Sequence, residues 1–234
     1  VLFPLMLGAL GKAFHNKLCL CIEFSDLSSK MFGYRDFRQH GYFPISWIHI
    51  HNSLHSLAPE ERLSEQLLRN IDKGYNAGII TREADNDDEI LEFHKMLKNY
   101  YRFKFHRYIP SPSFFLQLAK SQYGRVYVTL RHEKVIGGSA VVYSGSNAYL
   151  WFVASRRKSH PVIHPDVLTV WHAIKASADD GRRHIYFMNV GLPFRANRYR
   201  EFILSFGGKQ VSAYRWFHFT LKWVNKILSW AYRE

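Results

Sequence analysis

The stretch RVYVTLRHEKVIGGSAVVYSGSNAYLWFVA, residues 125–154, decides the fold. Three runs in it, Arg125–Arg131, Val135–Tyr143 and Ala148–Ala154, are dominated by β-branched, aromatic and small apolar residues. Such runs read as strands. Polar turns separate them: His132-Glu133-Lys134, then Gly145-Ser146-Asn147. Turns this short join antiparallel neighbours, so residues 125–154 are expected to form a three-strand meander.

Reading outward toward the C-terminus, Pro165–Asp179 has the pattern of a helix. Val167, Leu168, Val170, Trp171 and Ile174 face inward, and Gly181 closes it. His184–Asn189 reads as a strand and Asn197–Phe206 as a helix closed by Gly207-Gly208. Lys209–Phe219 reads as a last strand and Thr220–Tyr232 as an amphipathic terminal helix. Toward the N-terminus, Ser111-Pro112-Ser113 opens a helix through Lys120. Asn86-Asp87-Asp88-Glu89 is a capping-box start to a helix running to about Tyr101. Pro59-Glu60-Glu61 opens a helix that ends near Gly74, its acids facing the positive end of the dipole. Leu18–Glu23 and Ile45–His51 read as strands, joined by the polar and aromatic connection Ser25–Gly41. The fold class is α/β (α+β).

The chain has 234 residues, 47% hydrophobic and 22% charged, enough to bury a substantial core. That balance excludes disorder, collagen and coiled coil as the dominant state. No apolar run reaches the ~18–20 residues of a membrane span. Val1–Leu10 is the longest candidate, and Pro4 and Gly8 break it. No signal-peptide pattern is present. Cys19 and Cys21 sit two apart in one strand pattern, a poor geometry for a disulfide, and are expected as reduced thiols in a cytoplasmic protein. The net charge is +13. Residues 1–75 hold eight Lys and Arg against seven Asp and Glu, so the excess belongs to residues 76–234. A field of that sign favours phosphate-rich partners: RNA, a nucleotide or an anionic membrane surface. The alternative is a merely soluble basic surface.

From residue 79 the order is strand, helix, helix, meander, helix, strand, helix, strand. This resembles the GNAT acyltransferase fold, and more narrowly the Fem-type branch, the peptidoglycan-bridge aminoacyl transferases and related FemAB-like acetyltransferases. The residues that carry the resemblance are Leu68–Lys73 followed by Gly78–Ile80, Pro112–Leu116, Lys134–Ala140, Trp171–Ala176 with Gly181, and Phe206-Gly207-Gly208. It covers residues 60–219 well and 1–59 loosely. The resemblance implies a GNAT-like mixed sheet flanked by helices, with part of a second GNAT-like lobe at the N-terminus. On that reading 1–75 is the rear part of a first lobe whose front precedes Val1, with its linking helix. Residues 76–219 are then the acyltransferase lobe, and 220–234 the terminal amphipathic helix. The two N-terminal strands are expected in a sheet of their own.

The resemblance also implies a pair of neighbouring parallel strands, Ala148–Ala154 and His184–Asn189, that part to receive an acyl donor. The donor is acyl-coenzyme A or aminoacyl-tRNA, and the acceptor an amine. The donor's phosphates are expected at the connecting loop, where Arg156, Arg157 and Lys158 precede a helix start. The loop lacks the glycines of a backbone phosphate nest, and Pro161 and Pro165 remove two N–H donors. Three side-chain cations stand in their place, unless the loop is only a solvated basic surface. Arg195 and Arg198 are further candidate phosphate contacts. Asn189 stands where the family commonly has Asp, and Ile203 where the bridge-forming ligases commonly have Lys. Asn189, Tyr199 as proton donor and His164 as proton relay are the catalytic candidates.

His49 and His51 share a strand face and His55 follows, but no third ligand has a recognisable spacing, so no metal is expected. The terminal helix puts Leu221, Val224, Leu228 and Ala231 on one stripe with Trp223, Ile227 and Trp230 beside it. It suits docking on the protein's own lobe or peripheral contact with the inner face of the membrane. Two functions follow. One is acyl or aminoacyl transfer to an amine, in cell-envelope or peptidoglycan-related metabolism. The other is a catalytically degenerate GNAT-like module that binds RNA or an anionic envelope surface.

Overall fold

The computed structural model of the chain describes every residue except 1, 18, 26–32, 103–107, 189, 194 and 233–234. Its helices are α1 (Leu2–Asn16), α2 (Tyr34–Gln39), α3 (Glu65–Asn76), α4 (Asp87–Tyr101), α5 (Pro112–Lys120), α6 (Pro165–Asp179), α7 (Arg198–Leu204) and α8 (Lys222–Ala231). Its strands are β1 (Cys21–Ser25), β2 (Phe43–Ser53), β3 (Ile79–Glu83), β4 (Gly124–Arg131), β5 (Lys134–Ser144), β6 (Asn147–Ser155), β7 (His184–Phe187) and β8 (Lys209–Phe219). The chain divides into two compact units, each discontinuous in sequence. One is Val1–His49 with Asn189–Asn197 and Gln210–Glu234; the other is Ile50–Met188 with Arg198–Lys209. The sequence reading drew its boundaries at residues 75 and 219 instead.

In the larger unit the strand order is β2-β7-β6-β5-β4-β3. Strands β3 to β6 pair antiparallel in succession, which is the expected meander with one strand added. β6 and β7 are parallel neighbours, and α6 makes the crossover between them, as expected. Helix α6 packs on this sheet and on α3, while α4 and α5 pack on β4, β5 and β6. The paired glycines of β5 show how both layers come so close. A Cβ on Gly137 would strike Thr169 of α6, and one on Gly138 would meet the Phe93 ring of α4 at 2.5 Å. Successive strand residues point to opposite faces, so α6 and α4 lie on opposite sides of the sheet. The core on the α4–α5 side is built from Ile90, Phe93, Leu97, Phe115, Val128 and Phe152, among others.

Two expectations need correction here. Ile45–His51 is not in a sheet apart from the meander: Ile50–Ser53 of β2 pair antiparallel with His184–Phe187 of β7. Alternating Ile and His define a strand, but the pattern does not name the strand's neighbour. The helix expected from Pro59 is a short 3-10 turn, Pro59–Arg62, followed by α3, whose Ser64 Oγ accepts from the Leu67 N–H at 3.3 Å.

The smaller unit has the order β1-β8-β2, with β1 antiparallel to β8 from Cys21↔Phe219 to Ser25↔Arg215. β1 starts later than the expected Leu18, which lies outside the described residues. Leu7, Phe37, Tyr42 and Trp216 form its core, with Phe37 stacked on Trp216 at 4.7 Å between ring centres. Arg215 bonds Glu23 at 2.6 Å and lies 4.0 Å over the Trp47 ring. Helices α1 and α2 fall where the sequence showed an interrupted apolar run and a long connection. Pro4 lies in the first turn of α1, where its missing N–H has no intrahelical partner to lose. Cys19 and Cys21 are free thiols, and burial, then Glu23 and Cys19, push Cys21 up to about 11. Among the described residues no helix is long and apolar enough to cross a membrane.

Candidate functional site

The parallel ladder between β6 and β7 runs from Asn147↔His184 to Leu150↔Phe187 and stops there. β6 continues through Trp151 to Ser155, paired with β5 on its other side. The β5–β6 register shifts between Ala140 and Val141, so that Trp151 is an extra residue on β6. A bulge of this kind bends its strand and increases its twist. The last five residues of β6 therefore run on past the last rung with β7 while still paired with β5.

The basic turn follows β6 directly. The Arg156 N–H donates to the Ile136 carbonyl at 2.7 Å, and Arg157–Ser159 form one 3-10 turn. Arg156 and Lys158 are exposed. Arg157 is tied to Asp166 of α6 at 3.3 Å. His164 is the residue before α6 and sits in the left-handed region, φ 46°, with Pro165 following it. The start of α6 thus differs from the open anion site expected of a helix N-terminus. Pro165 has no N–H to offer, and the Asp166 carboxylate already faces the dipole. Of the three cations of this turn, Arg157 is the one the fold pairs with a carboxylate.

The other predicted residues are distributed more widely. Arg198 is the exposed first residue of α7, and Tyr199, half-buried, follows it with its ring 6.4 Å from Phe202. Arg195 is exposed and belongs to the smaller unit. Asn189 lies outside the described residues. Ile203 is fully buried in α7.

A second group of residues gathers at the closed end of the ladder, and sequence reasoning missed it as a group. β2, β7 and β6 lie side by side, each with a ring on one face. His51 stacks on Tyr186 at 5.4 Å and Tyr186 on Tyr149 at 5.1 Å. His184 is 5.0 Å from His51 and 5.0 Å from His55, and its Nδ1 is 3.3 Å from Asn147 Oδ1. Tyr149↔Tyr186 is the rung just before Leu150↔Phe187, so the row ends where the strands part. His51 Nδ1 is buried with no hydrogen-bond partner. Burial, then Lys209 and Arg62, push the His51 pKa down. Burial, His51, His55 and Arg183 push His184 down. Burial and Tyr149 push Tyr186 up. At neutral pH the row presents neutral imidazoles, which take protons, beside a phenol that keeps its own. The signal available in sequence was the pair His49 and His51 on one strand face. Both lie on β2, two residues apart; His49 is buried, and the rings His184 and Tyr186 beside His51 come from β7. Among the described residues no group of three or more His, Cys, Asp or Glu side chains is placed to hold a metal ion.

The family described as "Acetyltransferase (GNAT) domain" matches residues 61–200, more than half of the chain. No curated protein sequence matches. Among solved structures, a crystal structure of FemX superposes with a TM-score of 0.62 at 8% identity, covering 96% of this chain and 78% of that one. The structure of L-PGS from Bacillus licheniformis gives 0.65 at 11% identity, covering 99% and 79%. A GCN5-related N-acetyltransferase from Kribbella flavida gives 0.54 at 12%, covering 92% and 73%. At these identities the likeness is one of fold.

Proposed function

The chain belongs to the GNAT acetyltransferase family, and from that premise we propose that it transfers an acyl or aminoacyl group to an amine acceptor. The observation that carries this reading is the end of the β6–β7 ladder at Leu150↔Phe187, with β6 running on past it. On this reading the arm of an acyl-coenzyme A donor lies where β6 runs on past its last rung with β7, and Arg156 and Lys158 offer charge to its phosphates. An aminoacyl-tRNA is the other donor this turn fits, because side-chain cations rather than a glycine nest serve an extended phosphate backbone. The donor supplies the activated carbonyl. The chain's own residues hold it, exclude water and receive the proton that the amine must lose. His51 is the base in this reading, because it is neutral, half-buried and next to the parting strands. Tyr186 donates to the charge that develops on oxygen. The resemblance to Fem-type proteins favours an acceptor from cell-envelope or peptidoglycan-related metabolism.

The test is transfer by the full chain from labelled acetyl-coenzyme A and from aminoacyl-tRNA to a panel of primary amines. Transfer from either donor supports the reading. A folded protein that neither binds, hydrolyses nor transfers from any such donor overturns it. The second reading is a degenerate module that binds RNA or an anionic surface, and the burial of Ile203 favours it. That position, where a lysine would serve the bridge-forming ligases, contributes only packing. Tight, salt-sensitive RNA binding without turnover distinguishes this second reading.

A further inference from the structure

The smaller unit carries a surface that acyl transfer does not use. Most of the exposed large apolar side chains of this unit come from α1, α8 and the residues beside them. On α1 they are Leu2, Leu5, Met6 and Leu10, with Leu2 71% and Leu5 67% exposed. Their spacing puts Leu2 and Leu5 on the side of the helix away from the buried Leu7, with Met6 and Leu10 at its margin. On α8 they are Trp223, Ile227 and Trp230, again one stripe, with Trp223 66% and Trp230 72% exposed. Helix α8 does rest on its own unit. The Asn225 amide donates to the Gly41 carbonyl at 2.9 Å, its Oδ1 accepts from the Phe219 N–H at 2.9 Å, and Val224 and Leu228 are half-buried. That docking faces the tryptophans outward rather than covering them.

Between the C-terminal half of α1 and α8 runs a groove of about 1040 Å³. Lys12, His15, Arg38, Lys222 and Lys226 line it, together with apolar Ile227 and Trp230. Neither α1 nor α8 contains an Asp or Glu. Apolar side chains that project past a helix, flanked by lysines and with no acid among them, match the boundary of an anionic bilayer. There acyl chains lie under a layer of phosphates, and tryptophan rings favour that boundary. A second copy of this chain fits less well. A two-fold interface would set the same patch against itself, lysine facing lysine.

We propose that the α1–α8 face docks on an anionic phospholipid bilayer, inserting Leu5, Met6, Trp223 and Trp230 among the acyl chains and receiving lipid phosphate in the groove between the helices. The proposal is independent of the acyl-transfer reading.

Co-sedimentation of the full chain with vesicles tests it. Vesicles of phosphatidylcholine alone are compared with phosphatidylcholine containing phosphatidylserine, at low and high salt. Binding is expected on the anionic vesicles and little on the neutral ones, and salt should weaken it. K222Q/K226Q should bind about twenty-five-fold more weakly, at about five-fold per cation. W223S/W230S should lose both binding and the blue shift of tryptophan fluorescence on vesicle addition. Both pairs are exposed, and circular dichroism confirms folding. Equal binding to neutral and anionic vesicles overturns the proposal, as does parental binding by the folded variants. So does light scattering that shows a dimer dissolved by W223S/W230S, with no vesicle binding.

Discussion

Leu150 of β6 stands opposite Phe187 of β7 as the last rung of their parallel ladder, and the next residue, Trp151, is the bulge that turns β6 away. Phe152 and Ala154, beyond it, are in the cluster under α4 and α5. Deleting Trp151 would make Val141↔Leu150 and Ala140↔Phe152 consecutive rungs, so Phe152 and Ala154 would keep their partners and their face while the bend is lost. The deletion variant should stay folded, with a denaturant midpoint near the parent's, and on the acyl-transfer reading should weaken donor binding. The point substitution Trp151→Ala keeps the bulge and should change donor affinity less.

The basic turn gives a prediction that separates its three cations. Replacing Arg156 and Lys158 together with alanine should leave the melting temperature unchanged, because both are exposed, and should weaken donor binding. For an RNA donor the slope of log affinity against log salt should fall by a little under one unit per lost phosphate contact. Arg157→Ala should behave differently. It removes the partner of Asp166, whose side chain is only 14% exposed, and should cost up to about 1 kcal/mol of stability. Unchanged donor affinity in the folded double variant would assign the donor's phosphates to another place, with Arg195 and Arg198 the next to substitute.

The two halves of the chain were not equally legible. From Asn86 to Asp179 the capping residues, short turns and β-branched runs are local signals, and the elements fall within a residue or two of where those signals put them. Helix Pro165–Asp179 falls on the expected residues. The register of β2 against β7 is a contact between residues more than a hundred positions apart, and no local pattern encodes it. The row His51, His184, Tyr186 and Tyr149 depends on that register, so it was invisible in the sequence, although each ring was in plain view. The pairing of Arg157 with Asp166 was hidden for a similar reason. Seen along the chain, three consecutive cations look equivalent, and only the fold of the turn shows which one is engaged.

A stability prediction follows from the pair that closes the start of α4. Arg82 holds Glu89 through two bonds, 2.6 and 2.9 Å, and the Asp85 N–H adds a third at 3.0 Å. The hydrogen bond from Arg82 lowers the Glu89 pKa against the opposing effect of burial. A carboxylate depressed in the folded state stabilises above its unfolded value, and that stability is lost as pH falls through the folded value. Glu89→Gln should therefore cost about 1–2 kcal/mol at pH 7. The gap between variant and parent should begin to narrow below about pH 4, near the ordinary value of an unpaired glutamate, and close only below the depressed folded value. Urea titrations at pH 7 and at steps below about pH 4 measure both; a gap that does not narrow at all as the pH falls would mean the loss comes from packing rather than from the ion pair.

The last prediction concerns His51. Both His51 and His184 are held below the ordinary histidine value of about 6.5, so each is neutral at pH 7 and gains its proton only under acid conditions. If His51 is the base, kcat should be level above that value and fall on an acid limb lying below 6.5. His51→Gln keeps a polar group of similar size but cannot take a proton. It should lower kcat by about 10²-fold or more and remove that limb, while leaving the donor's Kd unchanged. His184→Gln, which touches His51 from the side, should lower the rate only modestly and leave the limb in place, because the charges that depress His51 are Lys209 and Arg62. Stability offers an independent check with a defined sign. A histidine depressed in the folded state costs nothing above the unfolded value and destabilises as pH falls below about 6.5 toward the folded value. The parent should therefore lose stability between pH 7 and pH 5 that His51→Gln retains. A variant with the parental acid limb, but with this change in stability, would make His51 a buried packing residue of the strand row and move the search for the base to His184.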